Sequence, residues 1–436
     1  MSPLVTGLLG IVLLFILLGM GMPIAFIMAV VGFAGFSYLV SPEAAFRVVA
    51  KDLYNTFASY SLSVIPMFVW MGFIAFHSGI STRLYTAAYK LVGHIQGGLA
   101  MATQVACATF GAICGSDTAT TATIAAVSLP EMKKYGYDDS LATASVAAGG
   151  VLGVLIPPSV IFLVYGVATQ QSISKLFIAG ILPGLLLMLL YMVTIYIITL
   201  RHPELGPPGP RASWRERFTA FGRSLWEILF IFALSIGGLF AGWFTPTEAG
   251  AVGSFGVLLV AVAERHLGWQ AFKKTLADTT RTTGMIMFIV AGAIIFGRFM
   301  AVSEIPAMMA SWAGTLTLPP YLVMTIILFI YLILGCFIDS LALIMLTIPI
   351  FYPVAVTILG YDPIWFGVII VMVVAMGVIT PPVGMNVYIV KGIAKDVPLE
   401  TIFKGSLPFL VACIICIALL IAFPEIATFL PRFISY

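Results

Sequence analysis

The chain has 436 residues, of which 61% are hydrophobic and only 9% charged, against roughly 25% charged in a soluble domain. So little charge excludes an ordinary water-soluble domain and places the chain in the membrane class, with the lipid bilayer as its solvent. The net charge of +3 is too slight to suggest a nucleic-acid partner.

Apolar runs occupy residues 4–20, 61–76, 178–200, 227–241, 285–296, 321–337 and 407–423. Several approach the roughly 20 residues a helix needs to cross about 30 Å of hydrocarbon. They are continuous rather than alternating, which predicts an all-α polytopic protein and not a barrel. The first run has no Lys or Arg before it and continues past Pro23 towards Tyr38. It reads as a retained pair of membrane helices rather than a signal peptide.

The next distinctive stretch is "GGLAMATQVACATFGAICGSDTATTATIAAVSLPEM", residues 97–132. It is apolar, breaks at 114–120 and resumes. The second arm, 121–132, rises only about 18 Å as a helix, too little to span. A re-entrant hairpin fits, with its tip at Gly115-Ser116-Asp117-Thr118 lining a protein or water cavity. Directly after it comes "GYDDSLATASVAAGGVLGVLIPPS", residues 136–159. The pattern returns without a gap, 224 residues later, as "GYDPIWFGVIIVMVVAMGVITPPV". Each copy runs from Gly-Tyr-Asp through fourteen residues to a Gly, three more residues and a Pro-Pro pair.

Between the copies lies a polar connection rich in Arg and Pro, residues 201–224, which reads as a cytoplasmic linker between halves. The loop at the first Gly-Tyr-Asp carries Lys133 and Lys134, and the loop at the second carries no base. Opposite membrane faces explain the difference, so the repeats are expected to have inverted topology. The second copy is also preceded by an interrupted apolar segment, residues 321–353, whose polar break contains Asp339 and Ser340. Each repeat therefore reads as a re-entrant hairpin followed by a broken helix, and two half-sites make one site.

A proline inside a helix removes the hydrogen bond to the carbonyl four residues back. Pro157 and Pro158 are expected to free the carbonyls of Gly153 and Val154, and Pro381 and Pro382 those of Gly377 and Val378. Sodium, a hard cation, suits such oxygens and the partly negative end of a half-helix. Ser116, Asp117, Thr118, Asp339 and Ser340 are candidates to complete the coordination. Each tip also opens a helix amino terminus, which suits a carboxylate. Asp117 and Asp339 also fit simple N-caps, and a Pro-Pro pair alone also fits a kink or a helix end. "GWFTPTEAGAVG", residues 242–253, contains a capping box in which Thr245 and Glu248 satisfy each other's backbone. The five cysteines lie in apolar surroundings without metal spacing, and the four histidines lie near helix ends or in connections.

"GSDTATTATIAAVSLPEM", "GVLIPPS", "GWFTPTEAGAV", "GCFIDS" and "GVITPPVGMNVY" together resemble the large membrane subunit of tripartite ATP-independent periplasmic (TRAP) transporters, over essentially the whole chain. The resemblance implies a sodium-driven importer of small organic acids in the bacterial or archaeal inner membrane, not an enzyme. It implies delivery by a periplasmic substrate-binding protein, a small four-helix membrane partner subunit, and an elevator motion of a transport domain against a scaffold. By resemblance the sodium positions are Ser116, Asp117, Gly153, Pro157, Asp339, Ser340, Gly377, Thr380 and Pro381. Candidate substrate contacts are Thr118, Ser159, Asn386 and Arg298, the last either meeting an anion or snorkelling to the interface. No cofactor is expected beyond sodium as coupling ion. Residues 1–96 and 225–320 are expected to form scaffold, and 97–200 and 321–436 the two transport repeats with the C-terminal helix. This chain begins with its first helix, so the small subunit is expected to be separate. The nearest rival is a stand-alone sodium–carboxylate symporter that needs no binding protein. An intramembrane hydrolase lacks a base, an ATP-driven pump lacks a nucleotide motif, and paired half-sites suit alternating access better than a channel.

Overall fold

Prolines and small polar residues set many of the helix starts. Ser2 caps α1 (Pro3–Gly19), Pro23 precedes α2 (Ile24–Leu39), and Ser41 caps α3 (Pro42–Phe57). The computed structural model describes residues 1–209, 211, 213, 215–216, 226–315 and 318–434, without the side chains of 227–229. All regular structure among them is helical. Most of the expected linker, 201–224, lies outside the described residues.

Helix α3 is amphipathic and charged, and it bends by 52° into the apolar segment that contains α4 (Val64–His77). A short helix, α5 (Ile80–Val92), then leads to the first pair of arms, α6 (Gly98–Cys114) and α7 (Asp117–Lys134). The second arm is longer than the sequence suggested: α7 starts at Asp117 and includes Pro130. Its 18 residues rise about 27 Å. The broken span that follows consists of α8 (Asp139–Gly150), the single turn α9 (Leu152–Leu155) and α10 (Val160–Thr169). Helix α11 (Ile173–Arg201) returns to the linker.

After the linker come α12 (Trp226–Phe232), α13 (Pro246–Ala263), the 34-residue α14 (Trp269–Val302) and α15 (Ile305–Thr315). The second pair of arms is α16 (Pro320–Gly335) and α17 (Ser340–Tyr352), the latter extended by a π-helical turn to Ile358. Then follow α18 (Pro363–Gly377), the break, α19 (Met385–Ile393) and α20 (Leu399–Ala422). Among the described residues six helices are long and apolar enough to cross a membrane, or seven if the bent pair counts as one span.

Backbone bonds show which ends share a face. Gly97 N donates to Gly206 O (2.9 Å), Asp138 N to Leu205 O (3.0 Å) and Gly209 N to Gly93 O (2.8 Å). Both ends of the α6–α7 pair therefore lie at the start of the linker, and Leu99 N donates to Tyr137 Oη across them (3.0 Å). Lys133, Lys134 and Lys391 lie on this face, where Lys133 pairs with Asp396. Helix α20 measures the distance to the other face. Ser140 Oγ donates to Thr401 O in its first turn, and Trp365 Nε1 donates to Leu420 O in its last. Twenty-four residues separate those ends by about 36 Å. The two Gly-Tyr-Asp loops thus lie at opposite ends of α20.

Candidate functional site

The α6–α7 tip is held by its own backbone. Gly115 adopts a left-handed conformation (φ 64°), and a Cβ there would sit 2.5 Å from the Pro158 carbonyl oxygen, so only glycine fits. Gly115 O accepts a bond from Val160 N just past the Pro-Pro pair (3.3 Å). Ser116 caps α7 through Ala119 N, and Asp117 Oδ1 accepts from Thr118 N (2.7 Å). The Ser116 carbonyl accepts both Thr120 N and Thr120 Oγ1. At the second tip, Asp339 caps α17 through Leu341 N and Ala342 N. The cap reading holds for Asp339, but at the first tip the cap is Ser116, and Asp117 is the first residue of the helix instead.

The two tips meet. Ser340 Oγ lies 3.5 Å from Asp117 Oδ2 although 223 residues separate them in sequence. Behind each tip a pair of glycines brings an arm against the broken helix. A Cβ on Gly111 would lie 2.6 Å from Gly153 Cα, and one on Gly377 would lie 2.6 Å from Gly335 C. A Cβ on Gly153 would lie 2.6 Å from the Ser116 carbonyl oxygen. Gly153 and Gly377 are thus the contact points between hairpin and break.

In front of the tips is a cavity of about 390 Å³. Ser116, Asp117, Thr118, Asp339 and Ser340 form one side. Val69, Phe73 and Phe76 of α4 and Thr282, Met285 and Ile289 of α14 form the other. The α14 residues come from the middle of that helix, so the cavity lies at mid-membrane height. No Lys, Arg or His is among its lining residues. Two carboxylates therefore share a cavity with no basic side chain to balance them.

Comparison with known proteins gives this geometry a context. The family described as "Tripartite ATP-independent periplasmic transporter, DctM component" matches residues 11–426. The chain belongs to this family. It is 37% identical to the C4-dicarboxylate TRAP transporter large permease DctM of Pseudomonas aeruginosa, over 91% of this chain and 92% of that one. It is 34% identical to the sialic acid large permease SiaM of Vibrio cholerae, over 96% and 97% of the two chains. The DctMQ isethionate permease of Oleidesulfovibrio alaskensis is 35% identical over 88% of this chain but only 59% of its own length. Among solved structures, the YdaH transporter of Alcanivorax borkumensis is similar in fold, with a TM-score of 0.62 at 14% identity over 88% and 90% of the chains. The protein is thus a multi-pass inner-membrane permease and not an enzyme.

The rest of the predicted set is distributed around the cavity of this permease. Both Pro-Pro bonds are cis. Ser159 caps α10 through Phe162 N and is buried behind the tip. The expectation that Pro381 and Pro382 leave two carbonyls unpaired needs correction. Thr380 N donates to Gly377 O (3.0 Å) and Asn386 N to Val378 O (3.0 Å), because the chain tightens into turns at the break. Each carbonyl retains a second lone pair. Thr380 Oγ1 turns back to Met376 O (2.8 Å). Asn386 is fully buried and bridges the repeats, with Nδ2 donating to Ala147 O (3.2 Å). Arg298 lies elsewhere: it pairs with buried Asp52 and lines a different cavity. It is not among the residues that line the main cavity.

Sequence reasoning missed the α4 and α14 wall, since apolar residues on a membrane helix carry no functional signal. It also missed Gly111 and Gly335. Their spacing, the same 224 residues, was a signal that could have found them.

Proposed function

We propose that this permease imports a small organic acid, coupled to sodium, after delivery by a periplasmic substrate-binding protein. The observation that carries the reading is the convergence of two hairpin tips from opposite halves on one cavity that holds two carboxylates and no base. Sodium at Ser116, Asp117, Asp339 and Ser340, backed by the Gly153 and Gly377 breaks, would balance those carboxylates. It would also let an organic anion enter beside Thr118. The relatives' names, covering C4-dicarboxylates and sialic acid, support the substrate class.

The placement of the two Gly-Tyr-Asp loops at opposite ends of α20 supports inverted-topology repeats. Residues 97–200 and 321–436 form the transport domain, and 1–96 and 225–320 the scaffold. The cavity lies between hairpin tips on one side and α4 and α14 on the other, a boundary that suits an elevator movement. The family implies a small membrane subunit and a binding protein as partners, and the DctMQ relative exceeds this chain in length.

The test is uptake into vesicles that contain the permease and its small subunit, with binding protein added, against sodium concentration and with potassium as control. Uptake should need both sodium and binding protein. Equal uptake under a proton gradient without sodium would overturn the ion. Full-rate uptake of free substrate by the chain alone would favour the stand-alone symporter. Replacing Pro381 and Pro382 with Ala should disturb the turns that hold the Gly377 and Val378 carbonyls and weaken sodium dependence; a mere kink would lose stability only.

A further inference from the structure

A second cavity, of about 330 Å³, shares no lining residue with the first. It lies between α2, α3 and α14, with Phe36, Val48, Ala301 and Val302 as apolar walls and Lys51, Asp52 and Arg298 as its charged groups. Its position follows from the helices that form it. Helix α5 has one charged and one apolar face, as a helix lying along the interface does; its C-terminal end touches the linker at Gly209, and Arg83 in its first turn pairs with Glu264, just ahead of α14. Helix α14 therefore begins on the linker face. Arg298, one turn before its end, lies on the opposite face.

Helix α3 carries Glu43, Arg47, Lys51 and Asp52 in 16 residues, too many charges for a span. It exposes Phe46, Tyr54 and Phe57. Charges and exposed aromatic rings on one short helix are the pattern of an element lying in the headgroup region. The cavity therefore opens at the level where lipid phosphates lie.

The charges there are unequally matched. Asp52 is buried and takes Arg298 Nε (3.1 Å) and Nη2 (3.3 Å). That occupies two of the five guanidinium donors. Glu43, the other acid of α3, is engaged by Arg47 at 2.6 Å. Lys51 is exposed and has no acidic partner among the described residues. Lys51, Arg298 and Asp52 sum to one net positive charge beside an apolar wall.

We propose that this cavity binds the phosphate of an anionic phospholipid in the leaflet opposite the linker. Lys51 and the remaining Arg298 N–H groups would donate to the phosphodiester oxygens, and the glycerol and upper acyl carbons would lie against Phe36 and Val302. Asp52 positions the Arg298 plane rather than touching the lipid. A bidentate guanidinium is well suited to this, because one edge is fixed while the other faces outward.

The experiment measures lipid binding to the intact permease by native mass spectrometry, alone and with its small subunit. Dioleoylphosphatidylglycerol, dioleoylphosphatidylcholine and inorganic phosphate are compared. Phosphatidylglycerol should bind more tightly than phosphatidylcholine. K51Q should weaken it by about fivefold, the worth of one interfacial cation, and K51R should restore it. K51Q leaves the Asp52–Arg298 pair intact, so folding is not at issue. An equal loss in K274Q, a lysine of α14 at the linker face, would overturn the site in favour of diffuse charge. Competition by millimolar inorganic phosphate with no preference between the lipids would make it a free-anion site and overturn the lipid. Loss of the preference when the small subunit is bound would assign the cavity to that interface instead.

Discussion

Gly335 and Gly377 touch each other, yet alanine should be damaging at Gly377 and tolerated at Gly335. A Cβ on Gly377 would lie 2.6 Å from Gly335 C and 2.8 Å from its oxygen. Both are backbone atoms and cannot rotate away. A Cβ on Gly335 would meet nothing closer than 3.4 Å, an ordinary van der Waals contact. Overpacking of the first kind typically costs about 1–3 kcal/mol. At Gly335 the change should be neutral, or gain up to about 1 kcal/mol from helix propensity. The strain in Gly377→Ala falls on the last turn of α16, four residues before Asp339. If moving the tip relieves about 1–2 kcal/mol of it, the sodium binding proposed above would weaken by roughly 5–30-fold. The assay is sodium-dependent uptake in vesicles, with thermal unfolding measured in parallel. Gly377→Ala should raise the half-saturating sodium concentration and lower the unfolding temperature, while Gly335→Ala leaves both near the parent values. Equal damage from the two substitutions would refute the idea that this contact sets the tip.

Three further outcomes are expected. Asp339→Asn keeps a capping side chain, so it should preserve folding while raising the sodium concentration needed for uptake; unchanged sodium dependence would remove Asp339 from the ion site. Asp52→Asn should lower stability by about 1–3 kcal/mol through loss of a charged hydrogen-bonded pair, with half-saturating sodium unchanged, as read by unfolding and uptake together. At the surface, the Lys133 ammonium holds the Asp396 carboxyl below the usual carboxylate range. The tie is then fully present above the ordinary carboxylate pKa and is lost as pH falls through the depressed one. Lys133→Gln should accordingly lower stability at pH 7, by an effect that shrinks as pH falls below the ordinary carboxylate range, which a pH series of unfolding curves checks.

The membrane class, the helical hairpins and the broken helices were all legible in the sequence, because each rests on a local rule. Apolar run length reports spans, and Gly115, Ser116 and Asp339 interrupt those runs with residues that turn or cap a chain. The 224-residue repeat added long-range information, since it paired the two breaks before any contact was known. What stayed hidden depends on packing between distant segments. Arg298 read as an anion contact or a snorkelling cation, because nothing in the sequence links it to Asp52, 246 residues away. The Gly377 and Val378 carbonyls looked free because proline removes a donor, but a turn supplied others from Thr380 and Asn386. Helix rules predict which bonds a proline deletes; they do not predict which bonds the chain forms afterwards.

The same distinction bears on why two half-sites are joined in one chain. Each hairpin tip carries one carboxylate that accepts nearby backbone N–H groups, Asp117 from Thr118 and Asp339 from Leu341 and Ala342. Bringing the tips together adds something neither has alone: two carboxylates at one cavity without a counter-charge. Like charges in a low-dielectric setting repel strongly, so the empty arrangement is costly and cations relieve it. An organic anion arriving first would add to the repulsion, and one arriving after the cations would be attracted. Because such coupling free energies are reciprocal, bound substrate must tighten the cations in turn. On the proposed reading, the coupling of ion to solute therefore comes from the convergence of Asp117 and Asp339, and the inverted repeat is the means of bringing them together.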